Sequence, residues 1–212
     1  MSARIISLPS RRRGNPRAEN RYLPPRRPVN RAVRSREYLT PDEVEKLIAA
    51  AKSVGRQGHR DATMILLAYR HALRVSELVA LRSDQIDLKH GLIYVHRLKN
   101  GTPSVHPIRG PEIRALRRLE RDYPETPYSF EPERRGPLTA STARKVIARA
   151  GRLTGLPFPV RPHMLRHACG YKLANDRQDT RAIRHYLGHK NITHTSRYAD
   201  LAPHRFSQFW KD

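Results

Sequence analysis

The chain of 212 residues holds a single cysteine, Cys169. One thiol excludes an internal disulfide framework and fits a reducing cytoplasm. No apolar run approaches the roughly 18 residues that a membrane span requires, and no hydrophobic segment has the form of a secretory signal. Acids are scarce too: 19 Asp+Glu stand against 42 Lys+Arg, a formal charge of +23. Disulfide-rich secreted and transmembrane classes are thereby excluded. What the chain has in excess is arginine, 34 residues against 8 lysines. Arginine keeps its charge and makes planar, bidentate contacts to phosphate oxygens. The composition therefore points to a nucleic acid backbone as partner, although a basic ribosomal-type protein would satisfy it equally.

The charge is unevenly spread. Residues 1–36 contain eleven Arg, five Pro and one acid, Glu19, and so carry +10 of the total. Their few apolar residues follow no helical or strand period, which predicts a disordered basic tail able to lie along phosphates. Residues 37–212 read as one domain, large enough to bury roughly 70% of its unfolded surface. Thr40-Pro41-Asp42-Glu43 has the form of a helix start, with an N-cap threonine, proline at the first position and a capping-box glutamate. A second helix is expected over about 59–70, with Ala62, Ile65, Leu66 and Tyr69 on one face, and a short third after Ser76 as N-cap. The period then changes. Ile86 to Leu88, Leu92 to Val95 and Val105 to Ile108 read as a small antiparallel sheet, with Asn100-Gly101 as the hairpin turn. Helices are expected again at about 111–122, 140–153, 163–175, 180–187 and 202–210. The fold class is mainly α (α+β), helical with one small antiparallel sheet.

Several short strings carry groups suited to chemistry. Arg74 stands where one helix ends and the next begins, with Glu77 three residues on to hold it. In Arg161-Pro162-His163-Met164-Leu165-Arg166-His167, Pro162 starts a helix that places His163 and Arg166 on a common side. Leu165, Ala168 and Cys169 would seat that helix in the core. A histidine and an arginine together suit a phosphate, one exchanging a proton and the other neutralising charge. His163 and His167 also have the spacing of a zinc pair, but the glutamate that such a helix pair needs is missing. Gly188 would end a helix and present His189, and Tyr198 follows nine residues later in a short polar helical piece. Lys99 directly precedes the Asn100-Gly101 turn, a position usually solvent-exposed and inert.

Taken in order, Arg74, Lys99, His163-x-x-Arg166, Leu187-Gly188-His189 and Tyr198 resemble the catalytic set of the tyrosine recombinases, the phage-integrase family. With His96-Arg97-Leu98-Lys99 and the short length, the chain is most similar to the fimbriae-type members that invert a promoter-bearing DNA segment. The resemblance covers residues 37 to 210. One departure is Ala72, where a glycine is frequent.

The resemblance implies a site-specific recombinase acting on double-stranded DNA without metal or other cofactor. Tyr198 would be the nucleophile, Arg74 and Arg166 the phosphate clamps, His163 a proton carrier, Lys99 the general acid and His189 a hydrogen-bond donor. Glu77 would buttress Arg74. It also implies a tetramer on DNA, and leaves open an accessory DNA-bending protein and whether the outcome is inversion, integration, excision or resolution. A type IB topoisomerase shares this chemistry, and a non-catalytic DNA-binding regulator is a further alternative. The basic residues expected to lie on DNA are Arg11, Arg12, Arg13, Arg26 and Arg27 in the tail, and Arg97, Arg161, Lys190 and Arg197 among the motifs. The expected location is the cytoplasm, on the nucleoid.

Overall fold

The computed structural model describes residues 36–98, 101–124, 126–132 and 136–200. Helix α1, Pro41–Lys52, starts as its first four residues dictate. Thr40 Oγ1 accepts from the Glu43 amide, and the Glu43 carboxylate accepts from the Thr40 amide at 2.8 Å. Val44, Leu47 and Ala51 form its buried stripe. Helix α2, Gly58–Arg70, differs from expectation in being buried on nearly all sides, with Thr63, Met64, Leu67 and Ala68 covered as well as Ala62 and Ile65. The reason is its position: α1, α4, α5 and α6 all pack on it. Its first turn is polar yet buried, and Asp61 answers both Arg60, at 2.7 Å, and Arg149 of α5, at 3.1 Å.

Helix α3, Val75–Val79, precedes three short strands: β1, Ile86–Asp87, β2, Leu92–Val95, and β3, Ser104–Pro107. They form one antiparallel sheet in the order β1-β2-β3. Its longer ladder pairs Leu92 with Pro107 and ends where Val95 meets Ser104. The turn expected at Asn100-Gly101 involves Asn100, which lies outside the described residues; Arg97, two residues past the ladder, turns inward. Helices α4, Gly110–Asp122, α5, Ala140–Leu153, α6, Pro162–Asn175, α7, Thr180–Leu187, and α8, Thr193–Asp200, complete the described chain. The helix expected at 202–210 lies outside the described residues.

Two apolar clusters result. The larger joins α1 to α6 and the sheet through side chains such as Leu47, Ile65, Leu67, Ile93, Phe130, Ile147 and Met164. The smaller comprises Ala72, Cys169, Ala174, Ile183, Leu187 and Tyr198. No helix among the described residues is long and apolar enough to cross a membrane.

Candidate active site

Arg74 owes its position to a turn that few residues would choose. After α2 the chain reverses at Ala72, whose φ of +50° lies in the left-handed region that glycine enters freely. Arg74, not Ser76 as the sequence suggested, is the N-cap of α3. The cap is supplied from within the helix: Glu77 accepts from the Arg74 amide at 2.9 Å and from its guanidinium at 2.7 Å. Burial alone would raise the Glu77 carboxyl, but the Arg74 hydrogen bonds and the nearby Arg97 charge outweigh it and hold the group below its usual range. Glu77 is thus a fixed anion, and the Arg74 side chain above it remains 30% exposed.

Proline at the start of α6 costs the helix no hydrogen bond, since the first amides lack intrahelical partners anyway. Arg166, one turn in, is buried and aimed back at the Ala72 turn. It donates to the Ala72 carbonyl at 2.6 Å and to the Leu187 carbonyl at the end of α7. Burial first, and then the charges of Arg74 and Arg97, push its pKa down to about 10, which leaves it a cation at neutral pH. His163 and Arg161 are exposed at the same helix end. The imidazole found on the Tyr198 hydroxyl is His167, whose Nδ1 lies 2.8 Å from the oxygen. The His163 ring stands edge-on to that of His167, 5.7 Å between centroids. Among the described residues no group of three His, Cys, Asp or Glu side chains is placed to hold a metal ion.

Gly188 closes α7 at φ +64°, a conformation that glycine adopts without penalty at a helix C-terminus. The chain then presents His189, whose Nδ1 lies 2.9 Å from Thr195 Oγ1 on α8. Burial, followed by the charge of Arg166, pushes the His189 pKa down to about 3, so its ring is neutral near pH 7. Tyr198 on α8 is 1% exposed. Its ring lies nearly parallel to that of His189, 6.4 Å away, and flat against Gly170, where a Cβ would come within 2.8 Å. Arg74, Arg166, His189 and Tyr198, spread over 125 residues of sequence, are therefore one neighbourhood.

One expectation needs correction. Arg97 does not face a solvent groove: its side chain is fully buried, donating to Glu77 at 2.9 Å and to the carbonyls of His71, Ala72 and Tyr186. With its side chain buried and both terminal nitrogens engaged inside the protein, it is not available to lie along a DNA backbone. Arg161 and Lys190 are exposed, as a DNA contact needs. Lys99, and Arg11, Arg12, Arg13, Arg26 and Arg27 of the tail, lie outside the described residues, as does the side chain of Arg197. Sequence reasoning missed Thr195, the partner of His189, and the contact between His167 and Tyr198. The two contacts span 6 and 31 residues, separations that no helix-face pattern links.

The Phage integrase family model matches residues 37–205. The Type 1 fimbriae regulatory protein FimE of Escherichia coli (strain K12) is 42% identical over 182 residues, which cover 83% of this chain and 91% of that protein. The crystal structure of XerA recombinase matches with a TM-score of 0.72 at 26% identity, covering 82% of this chain and 65% of that one. The XerH site-specific recombinase, solved as a post-cleavage complex on a palindromic difH substrate, matches at 0.69 and 21% identity, over 81% of this chain and 52% of its own. Because the family match spans most of the chain and the whole of the neighbourhood built above, this protein belongs to the phage integrase family of tyrosine recombinases.

Proposed function

We propose that the protein cuts and rejoins duplex DNA at a specific site through a covalent 3′-phosphotyrosyl link at Tyr198. The observation that carries this reading is a single neighbourhood in which Arg166 and a neutral His189 lie near Tyr198 and Arg74 lies near both. Phosphoryl transfer builds negative charge on the non-bridging oxygens, and paired arginines stabilise it by bidentate contacts. Arg74, partly exposed, meets the phosphate first, and Arg166 meets it from the protein side. His189, neutral, donates a hydrogen bond. The Tyr198 oxygen attacks phosphorus while its proton passes to imidazole. His167 holds the hydroxyl, and His163 beside it exchanges the proton with solvent or DNA. The bond to the 5′-oxygen breaks, and Lys99 supplies the proton that this leaving group needs. The link conserves the energy of the broken bond, so a 5′-hydroxyl from another strand can reverse the attack.

The +23 charge supports duplex DNA as substrate, with Arg161, Lys190, Arg197 and the basic tail along its phosphates. The likeness to a fimbriae regulatory protein supports inversion of a promoter-bearing segment as the outcome. Four active sites on two duplexes require a tetramer, assembled in the cytoplasm on the nucleoid.

Tyr198→Phe removes only the nucleophilic oxygen. It is expected to bind target DNA as the parent does and to form no covalent adduct on denaturing gels. An adduct that persists in the variant would move the nucleophile to another tyrosine.

A further inference from the structure

Arg97 is an expensive residue to bury. Desolvation disfavours its charge and pushes its pKa down, and two further guanidiniums, Arg74 and Arg166, lie close enough to repel it. A buried cation persists where hydrogen bonds compensate its lost solvation, and those made by the two terminal nitrogens of Arg97 reach three separate segments, although its Nε is buried with no partner among the described residues. One nitrogen donates to Glu77 at 2.9 Å and to the Ala72 carbonyl at 3.3 Å. The other donates to the His71 carbonyl at 3.3 Å and to the Tyr186 carbonyl. Two glycines close the fit around its stem. A Cβ at Gly101 would lie 2.6 Å from Arg97 Cβ, and one at Gly188 would lie 2.8 Å from Arg97 Cγ.

The partners of Arg97 and those of the catalytic arginines interlock. Glu77 divides its carboxylate: one oxygen takes the Arg74 guanidinium, and the other takes the Arg74 amide together with Arg97. The Ala72 carbonyl is shared between Arg97 and Arg166. At the end of α7, Arg97 holds the Tyr186 carbonyl while Arg166 holds the next one, Leu187. If Arg97 were lost, the Glu77 carboxylate would keep Arg74 but could rotate with it, and the Ala72 turn would keep only one of its two guanidinium clamps.

We infer that Arg97 is a positioning residue for the catalytic arginine pair, fixing Glu77 and the Ala72 turn so that Arg74 and Arg166 meet one phosphate together. This role rests on the reading of Arg74 as a phosphate clamp given above. It is distinct from DNA contact, because the Arg97 side chain is fully buried, and distinct from simple packing, because most of its effect should pass through Arg74.

The test is a double-mutant cycle on covalent adduct formation, in single turnover at saturating target DNA, using the full chain. Removing one transition-state donor typically costs about 10²–10³ in rate, so misplacing Arg74 through Arg97→Met should cost about tenfold to a hundredfold. The DNA concentration giving half-maximal rate should not move. Arg97→Lys keeps the charge and part of the hydrogen bonding and should recover part of the rate. In an Arg74→Ala background, Arg97→Met should cost much less than in the parent, leaving only the part that passes through the Ala72 turn to Arg166, since residues acting as a unit are non-additive. The same fold-loss in both backgrounds, a loss confined to DNA affinity, or an undiminished rate in Arg97→Met would overturn the inference. An Arg74→Ala variant that forms adduct at the parent rate would instead overturn the reading of Arg74 itself, and that arm stands alone. Should Arg97→Met fail to fold by circular dichroism, Arg97→Lys carries the same cycle.

Discussion

The two apolar clusters of this protein are held together on different terms. The larger is built mainly of aliphatic side chains, with several alanines and Phe130, gathered from six helices and a sheet. The smaller, beneath the groups proposed to be catalytic, contains two alanines, a cysteine, an isoleucine, a leucine and Tyr198. It is closed by guanidiniums that clamp backbone carbonyls at Ala72, Tyr186 and Leu187. The first arrangement gives stability through apolar area. In the second, directional hydrogen bonds from buried cations set the geometry, and on the proposed reading those cations serve a phosphate.

The largest effect that separates the two is a truncation in each. Leu67 in α2 is 0% exposed within the larger cluster, and Leu67→Ala is expected to cost about 2–5 kcal/mol, as large-to-small changes in a close-packed core do. Leu187, equally buried, faces fewer apolar neighbours, and its anchoring carbonyl survives the change. Leu187→Ala should therefore destabilise less and slow adduct formation more. Urea unfolding and adduct assays on both variants decide it. Equal losses of stability would mean that the second cluster packs as firmly as the first.

What could be read from the sequence divides along the same line. Helix starts at Thr40 and the stop at Gly188 are set by residues within a few positions, so their motifs sufficed. The Arg74–Glu77 pair spans three residues and was equally legible. The burial of α2 on all sides was not, because periodicity reports one apolar face and says nothing of how many neighbours arrive. Arg97 misled for a related reason. A basic residue two before Lys99 suggests DNA, and the anion that draws it inward lies 20 residues away in sequence. The His167–Tyr198 contact, 31 residues apart, depends on how α6 and α8 meet, which no local pattern encodes.

A smaller effect comes from the polar layer between the clusters. His106 on β3 is 0% exposed, stacked on Tyr186 at 3.8 Å and 3.2 Å from His71 by their Nδ1 atoms. Burial first, then the charges of His71 and Arg97, push its pKa down to about 3. The sign follows directly. Between pH 6.5 and about 3 the unfolded chain takes up a proton at His106 that the folded protein refuses. Stability is therefore complete above pH 6.5 and is lost as the pH falls, by at most about 1.4 kcal/mol per pH unit from this group. His189 acts in the same direction. Urea midpoints measured from pH 7 to pH 4 should decline in the parent and decline less steeply in His106→Asn. Parallel curves would mean that His106 takes up its proton as readily in the fold as in the unfolded chain.

The smallest effect makes the sharpest comparison, because the same methyl group is removed from two equally buried alanines four residues apart. Ala68 is 1% exposed in α2 and belongs to the larger cluster, and Ala72 is 0% exposed in the smaller. Ala68→Gly loses a buried methyl, about 0.8 kcal/mol, and places glycine inside a helix, about 1 kcal/mol more. The expected loss is near 2 kcal/mol. Ala72→Gly loses the same methyl, but its backbone sits at φ +50°, where an L side chain costs roughly 1–2 kcal/mol that glycine does not. The two contributions oppose each other and the backbone gain is the larger, so Ala72→Gly should be neutral to stabilising, by up to about 1 kcal/mol. Adduct formation should also be retained, since the Ala72 carbonyl that Arg97 and Arg166 share belongs to the backbone. Unfolding both variants under one set of conditions gives the contrast. A loss at Ala72 matching that at Ala68 would show that the methyl, and not the turn, is what the smaller cluster needs at this position.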